Sequence, residues 1–113
     1  MPRRSFLSDF EAMVLLAVIR VGDDAYGVPV SRELEAVTRR PVAIAAVYAA
    51  LQRLESRGLV SSQKGEPTSV RGGRAKRVFQ VTSAGMRAAR ETARTYRALW
   101  AGIPQLQRHA EAR

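Results

Sequence analysis

The hydrophobic period of this chain changes partway along, and that change limits what the chain can fold into. Up to Arg57-Gly58, apolar residues return about every 3.6 residues, the repeat that lines one face of a helix. Over Leu59-Val60-Ser61-Ser62-Gln63 and Arg77-Val78-Phe79-Gln80-Val81-Thr82 the pattern shortens to that of strands, with the second run alternating better than the first. Beyond Thr82 the helical repeat returns. The expected order is three helices, one two-stranded hairpin and a fourth helix.

The first helix is predicted over residues 8–21. Ser8 and Glu11 have the spacing of a capping box, in which hydroxyl and carboxylate each satisfy an orphan backbone N–H. Asp9 and Glu11 also suit the positive end of the helix dipole. Phe10, Met13, Val14, Ala17 and Val21 share one face, and Leu15, Leu16 and Ile19 make the helix apolar nearly all round. It is therefore expected to be largely buried. Gly22-Asp23-Asp24 ends it. A second helix is predicted over residues 28–37, with Pro29 in its first turn and Val30, Leu34 and Val37 at helical spacing. Thr38-Arg39-Arg40-Pro41 breaks it, because the residue before a proline is pushed out of helical geometry. The third helix is predicted over residues 43–56. Its inner stripe is Val47, Ala50, Leu51 and Leu54, and its opposite face carries Tyr48, Gln52 and Arg53. Gly58 suits the left-handed position just past its end.

The stretch between the two strands is rich in Gly, Pro, Ser and basic residues and reads as a long hairpin loop. Three helices followed by a hairpin is the layout of a winged helix-turn-helix, a mainly α fold with a small β-hairpin. Thr82 is the expected N-cap of the fourth helix, which runs to about Ala101, with Gly85 lowering its stability slightly. Met86, Ala89, Ala93, Tyr96, Trp100 and Ile103 alternate steps of three and four, the heptad spacing of a narrow seam for a partner helix. Gly102 and Pro104 are expected to end regular structure, leaving Ile103 in a frayed end. The chain thus divides into a winged-helix domain (residues 1–82), a dimerisation helix (83–107) and a tail (108–113).

Charge supplies the first functional clue. The 113 residues carry 19 Lys and Arg against 10 Asp and Glu, a net charge of +9. Residues 1–38 hold four basic and six acidic side chains, residues 39–77 nine and two, and residues 78–113 six and two. The excess is concentrated in the middle segment, which contains the third helix and the hairpin, and implies a polyanionic partner such as nucleic acid. An apolar run such as Ala12 to Ile19 is far short of the roughly 20 residues that span a bilayer. The basic start has no apolar stretch of a secretory signal behind it, so a cytoplasmic protein is expected. Without cysteine there is no disulfide framework, and with a single histidine, His109 in the tail, a transition-metal site or a Ser-His-Asp set has no basis. Neither an enzyme nor a cofactor is expected.

In a helix-turn-helix the second helix of the motif enters the major groove, here the third helix of the chain. Its outward residues are Ala45, Ala46, Tyr48, Ala49, Gln52 and Arg53. Gln reads adenine, Arg reads guanine or phosphate, Tyr donates to phosphate, and Ala lets the backbone approach and touches thymine methyls. Arg71, Arg74, Lys76 and Arg77 cluster about Gly72-Gly73, as suits a wing that tracks phosphates or enters the minor groove. The plainer alternatives are a solvated helix face and a hairpin tip kept soluble by charge.

Taken together, VYAALQRLESRGLV and GGRAKRVFQVTSAG resemble the PadR family of winged-helix transcriptional regulators. The landmarks are Tyr48, Leu51, Leu54-Glu55, Gly58, Leu59-Val60, Gly72 to Arg77, Phe79, and Thr82 to Gly85, with Tyr26-Gly27 upstream. The resemblance covers about residues 8–100. It implies DNA binding, control of detoxification or efflux genes, and the shorter branch of the family, in which the single C-terminal helix builds the homodimer. Where relatives often carry Ser and Gly or Pro at the start of the reading helix, this chain has Ala43 and Ala45, which removes a side-chain N-cap.

A seam that pairs with its own copy sets two reading helices about 34–36 Å apart on a roughly palindromic operator. Tyr96 and Trp100 stand one turn apart near that seam. They read either as interface core or, as the resemblance implies, as walls of a site for a flat aromatic effector. Two other readings compete with a DNA-binding repressor. One is a dimeric interaction module or adaptor that does not read DNA sequence. The other is a membrane-surface helix using Arg87, Arg90, Arg94, Arg97 and Trp100, against which the seam argues, since its apolar residues are needed for a partner.

Overall fold

The computed structural model describes residues 6–64 and 76–106. Its elements are α1 (Asp9–Val21), a single 3-10 turn (Gly22–Asp24), α2 (Gly27–Thr38), α3 (Ile44–Ser56), β1 (Val60–Lys64), β2 (Arg77–Val81) and α4 (Ser83–Ala101). This is the mainly helical fold with one antiparallel hairpin that the periodicity predicts. The strands pair from Val60 opposite Val81 to Lys64 opposite Arg77. The hairpin is hooked to the helices where the Phe79 N–H donates to the Ala25 carbonyl at 2.8 Å.

The core follows from the stripes. Val14, Leu15, Val18, Val30, Val47, Leu51, Leu54, Val60 and Phe79 are buried together between α1, α2, α3 and the hairpin. The capping box forms: the Glu11 N–H donates to Ser8 Oγ (3.1 Å) and the Ser8 N–H to Glu11 Oε1 (3.0 Å). Helix α3 ends as Gly58 predicts, at φ 76°. The Gly58 N–H reaches the Glu55 carbonyl and the Leu59 N–H the Leu54 carbonyl, which closes a Schellman motif. Leu59 thus belongs to the helix ending, and β1 starts one residue later than its apolar character suggests.

One expectation fails. Helix α1 is apolar nearly all round yet is not covered all round: Met13 is 37% and Leu16 48% exposed. The core takes Val14, Leu15, Ala17 and Val18, and the next stripe of the helix faces outward beside α4.

Gly85 is better explained by the structure than by propensity. It is buried, and a Cβ there would stand 2.1 Å from the Leu59 carbonyl oxygen. Beside it, Thr82 Oγ1 donates to the Gly58 carbonyl at 2.7 Å and accepts from the Gly85 N–H at 3.0 Å. The Thr-x-x-Gly string therefore bolts the start of α4 onto the turn that ends α3. At the other end Gly102 caps α4. Ile103 lies past it, and residues 104–106 turn helical again, because proline suits a first helical turn. The tail at 108–113 lies outside the described residues.

Candidate nucleic-acid interface

Helix α3 turns Val47, Ala50, Leu51 and Leu54 inward, which leaves Ala45, Ala46, Tyr48, Ala49, Gln52 and Arg53 on the exposed face. The start of that face is almost bare backbone. Ala43 is the N-cap and supplies no side-chain hydrogen bond, as its lost hydroxyl predicts. Tyr48 is held in place by a glycine: a Cβ at buried Gly27 would lie 2.2 Å from Tyr48 Cζ. The phenol thus lies over the first turn of α2, which explains the Tyr26-Gly27 pair.

The turn from α2 into α3 is fixed by side chains from α2. Glu35 Oε2 accepts from the Val42 N–H (2.9 Å), and Ser31 Oγ donates to the Val42 carbonyl (3.3 Å). Arg39 at the C-cap of α2 takes the left-handed conformation, φ 59° and ψ 35°, and its N–H donates to the Glu35 carbonyl.

The structure gives most of the basic residues singled out from sequence an internal partner. Arg53 Nε donates to Glu11 Oε2 at 2.8 Å, and Arg57 lies 3.6 Å from the other oxygen of the same carboxylate. The Arg53 hydrogen bond, then that of the Ser8 N–H, holds the Glu11 carboxyl below the usual carboxylate value. Arg77 Nη1 donates to Ser62 Oγ, which in turn donates to Glu55 Oε2. Lys76 Nζ stands 4.4 Å from the centroid of the Tyr26 ring and donates to its hydroxyl at 3.3 Å. Arg71 and Arg74 lie outside the described residues. Lys76 and Arg77 sit at the loop end of the hairpin, where Arg77 lies opposite Lys64 at the end of β1, and Lys76 stands beside the start of α2.

The seam residues of α4 share one side of the helix. Met86 and Ala89 are half-buried against the body, whereas Ala93, Tyr96 and Trp100, and Ile103 beyond the helix end, are exposed. Between α1 and α4 runs an apolar groove of about 430 Å³ lined by Met13, Leu16, Ala89, Ala93 and Tyr96, with Leu7 at one end. Tyr96 closes that end by donating to Asp9 Oδ1 at 3.1 Å, and the carboxylate it faces raises the phenol pKa. Trp100 stands a turn further out, beyond the groove. Sequence reasoning assigned this surface to α4 alone. The contribution of α1 was signalled by its surplus of apolar residues, more than one core-facing stripe can use.

No helix among the described residues is long and apolar enough to cross a membrane. The sequence model of the transcriptional regulator PadR-like family matches residues 15–91. No curated protein matches the chain. Among solved structures, a PadR family transcriptional regulator from Eggerthella lenta superposes with a TM-score of 0.67 at 26% identity, over 85% of this chain and 81% of that one. A PadR-like regulator from Bacillus cereus gives 0.68 at 17% identity, over 87% and 90%. A transcriptional regulator from Clostridium thermocellum gives 0.66 at 21% identity, over 84% and 89%.

Proposed function

Since the chain belongs to the PadR-like family of transcriptional regulators, non-enzymatic DNA-binding proteins, we propose that it is a repressor that grips a roughly palindromic operator as a homodimer. The observation that carries this reading is the outward face of α3. Small residues, then Tyr48 and Gln52, stand on a helix whose other face is locked into the core. That helix lies within the segment with the largest positive balance, nine basic against two acidic side chains over residues 39–77. In the bound complex Gln52 reads a base edge, and the hairpin lies along the backbone through Arg71, Arg74, Lys76 and Arg77. The site of action is the cytoplasm, where the DNA is.

The second copy is the natural cover for the apolar surface that this chain leaves open. Met13 and Leu16 on α1 and Tyr96, Leu99 and Trp100 on α4 are exposed large hydrophobics on adjoining elements. A heptad seam accounts for the placement of Tyr96 and Trp100 on α4. The groove between α1 and α4 is apolar with a single carboxylate at one end, a setting suited to a flat aromatic effector that relieves repression.

A shift assay on the region upstream of the chain's own gene tests the proposal. The expected result is a complex whose affinity falls steeply with salt, with a log–log slope near −0.9 per phosphate neutralised. Changing Gln52 should alter base preference. Equal loss on every sequence would count against direct readout by that residue. One observation favours the adaptor reading: Arg53, Lys76 and Arg77 already have partners within the chain. Under that reading no complex forms even at low salt.

A further inference from the structure

We infer that the turn between α2 and α3 is a phosphate-binding site in its own right, with Arg39 and Arg40 each contacting the DNA backbone beside the groove that α3 enters. The inference rests on the DNA-binding reading above and extends it to residues outside the reading helix and the hairpin.

The endings of the first three helices differ in one residue type. Each of α1, α2 and α3 is left through a residue of positive φ: Gly22 at 81°, Arg39 at 59° and Gly58 at 76°. Two of the three are glycine, for which this conformation carries no penalty. At the third a Cβ is placed there at a cost on the order of 1 kcal/mol. Glycine would serve the backbone better, so the arginine is held by something other than local conformation. Strain retained in a rigid frame points to a functional position.

Arg39 and Arg40 are adjacent and exposed, and among the described residues neither has an ion pair or hydrogen bond from its side chain. The basic side chains expected to contact DNA differ in this respect, since Arg53, Lys76 and Arg77 are engaged within the chain. Arg20, in the last turn of α1, is neutralised by Glu33 of α2. The nearest carboxylate along the turn, Glu35, already accepts the Val42 N–H.

The turn is also rigid. Glu35 and Ser31 hold Val42 from both its N–H and its carbonyl, so the turn cannot fold away from the start of α3. Two guanidinium groups rooted in a fixed backbone, one turn ahead of the reading helix, suit phosphate oxygens. Their planar forks bond such oxygens in pairs, and the fixed backbone leaves only side-chain rotamer freedom to be lost on binding.

The test uses the full chain and two labelled duplexes of equal length, one from its own upstream region and one unrelated. Arg39→Gly is the decisive variant because it removes the charge while relaxing the backbone. Its melting temperature should equal or exceed that of the unmodified chain. It should bind both duplexes about 10-fold more weakly at low salt, with the salt slope shallower by about 0.9 for each copy bound. Arg40→Ala should weaken both duplexes in the same way, and Arg39→Lys should keep most of the slope. Arg39→Gly with unaltered affinity and slope would overturn this site while leaving the DNA reading intact. An unmodified chain that leaves both duplexes free at the lowest salt would overturn both.

Discussion

Helices α3 and α4 are both amphipathic, yet the chain finishes one and leaves the other open. Four of the thirteen residues of α3 are buried, and they are its whole inner stripe. Of the nineteen residues of α4 only Gly85 is buried, although Tyr96, Leu99 and Trp100 are large and apolar. The amphipathic pattern is alike in the two helices. What differs is where the matching surface lies. For α3 it lies within the chain, on α1 and α2. For α4 beyond its first turns it must come from elsewhere. An apolar stripe states that a helix will be covered, and only topology states by what.

The sharpest way to break this comparison is to remove a side chain from each stripe. Leu51→Ala, at a fully buried position of α3, should destabilise the chain by about 2–5 kcal/mol in chemical denaturation. A loss below about 1 kcal/mol would mean that the stripe is not core. Gly85→Ala addresses the one place where α4 is as tightly held as α3. The new Cβ would meet a backbone carbonyl rather than a yielding side chain, so a loss of about 1–3 kcal/mol is expected, against the usual gain from alanine in a helix.

Glu11→Gln tests the tie between α1 and α3 and should cost about 1–2 kcal/mol at neutral pH. The pH dependence follows from the sign of the shift. The folded-state pKa of Glu11 is lowered by Arg53 and the Ser8 N–H, so the stabilisation is present above the ordinary value of 4.5. It is lost as pH falls through the folded-state value. The unmodified chain should therefore lose stability on acidification more steeply than Glu11→Gln, and parallel curves would refute the assignment. The smallest expected effect on folding is that of Trp100→Ala, within about 0.5 kcal/mol for the isolated chain because the ring is more than half exposed. The same change should lower the average mass seen by sedimentation as pairs separate. If folding stability falls sharply and mass does not, Trp100 belongs to the chain's own core and the contrast between the helices is false.

Much of this architecture was legible in the residues. The period switch after Gly58, the capping box at Ser8 and Glu11, and the cap at Thr82 are local signals, carried by neighbours three or four apart, and each is found in the structure. What escaped are relations across long separations. Nothing near Arg53 announces that its partner is Glu11, 42 positions away, so the sequence presents it as free to contact DNA. Gly85 reads as a weak point of its helix until the Leu59 carbonyl is seen against it. The left-handed Arg39 is hidden for the opposite reason. Its neighbours explain the helix break, and so the residue at the break attracts no notice. For the interface, the outward face of α3 was readable, while Arg71 and Arg74 lie outside the described residues.

The joint at Thr82 and Gly85 has a consequence for operator architecture. It welds the axis of α4 to the end of α3, so under the proposed function a pair joined through α4 would work like calipers locked at one opening. Inserting a single base pair between half-sites rotates one of them by about 35° around the duplex. Two heads on so stiff a mount could not follow that rotation, and the spacer should be as stringent a determinant of recognition as the bases themselves.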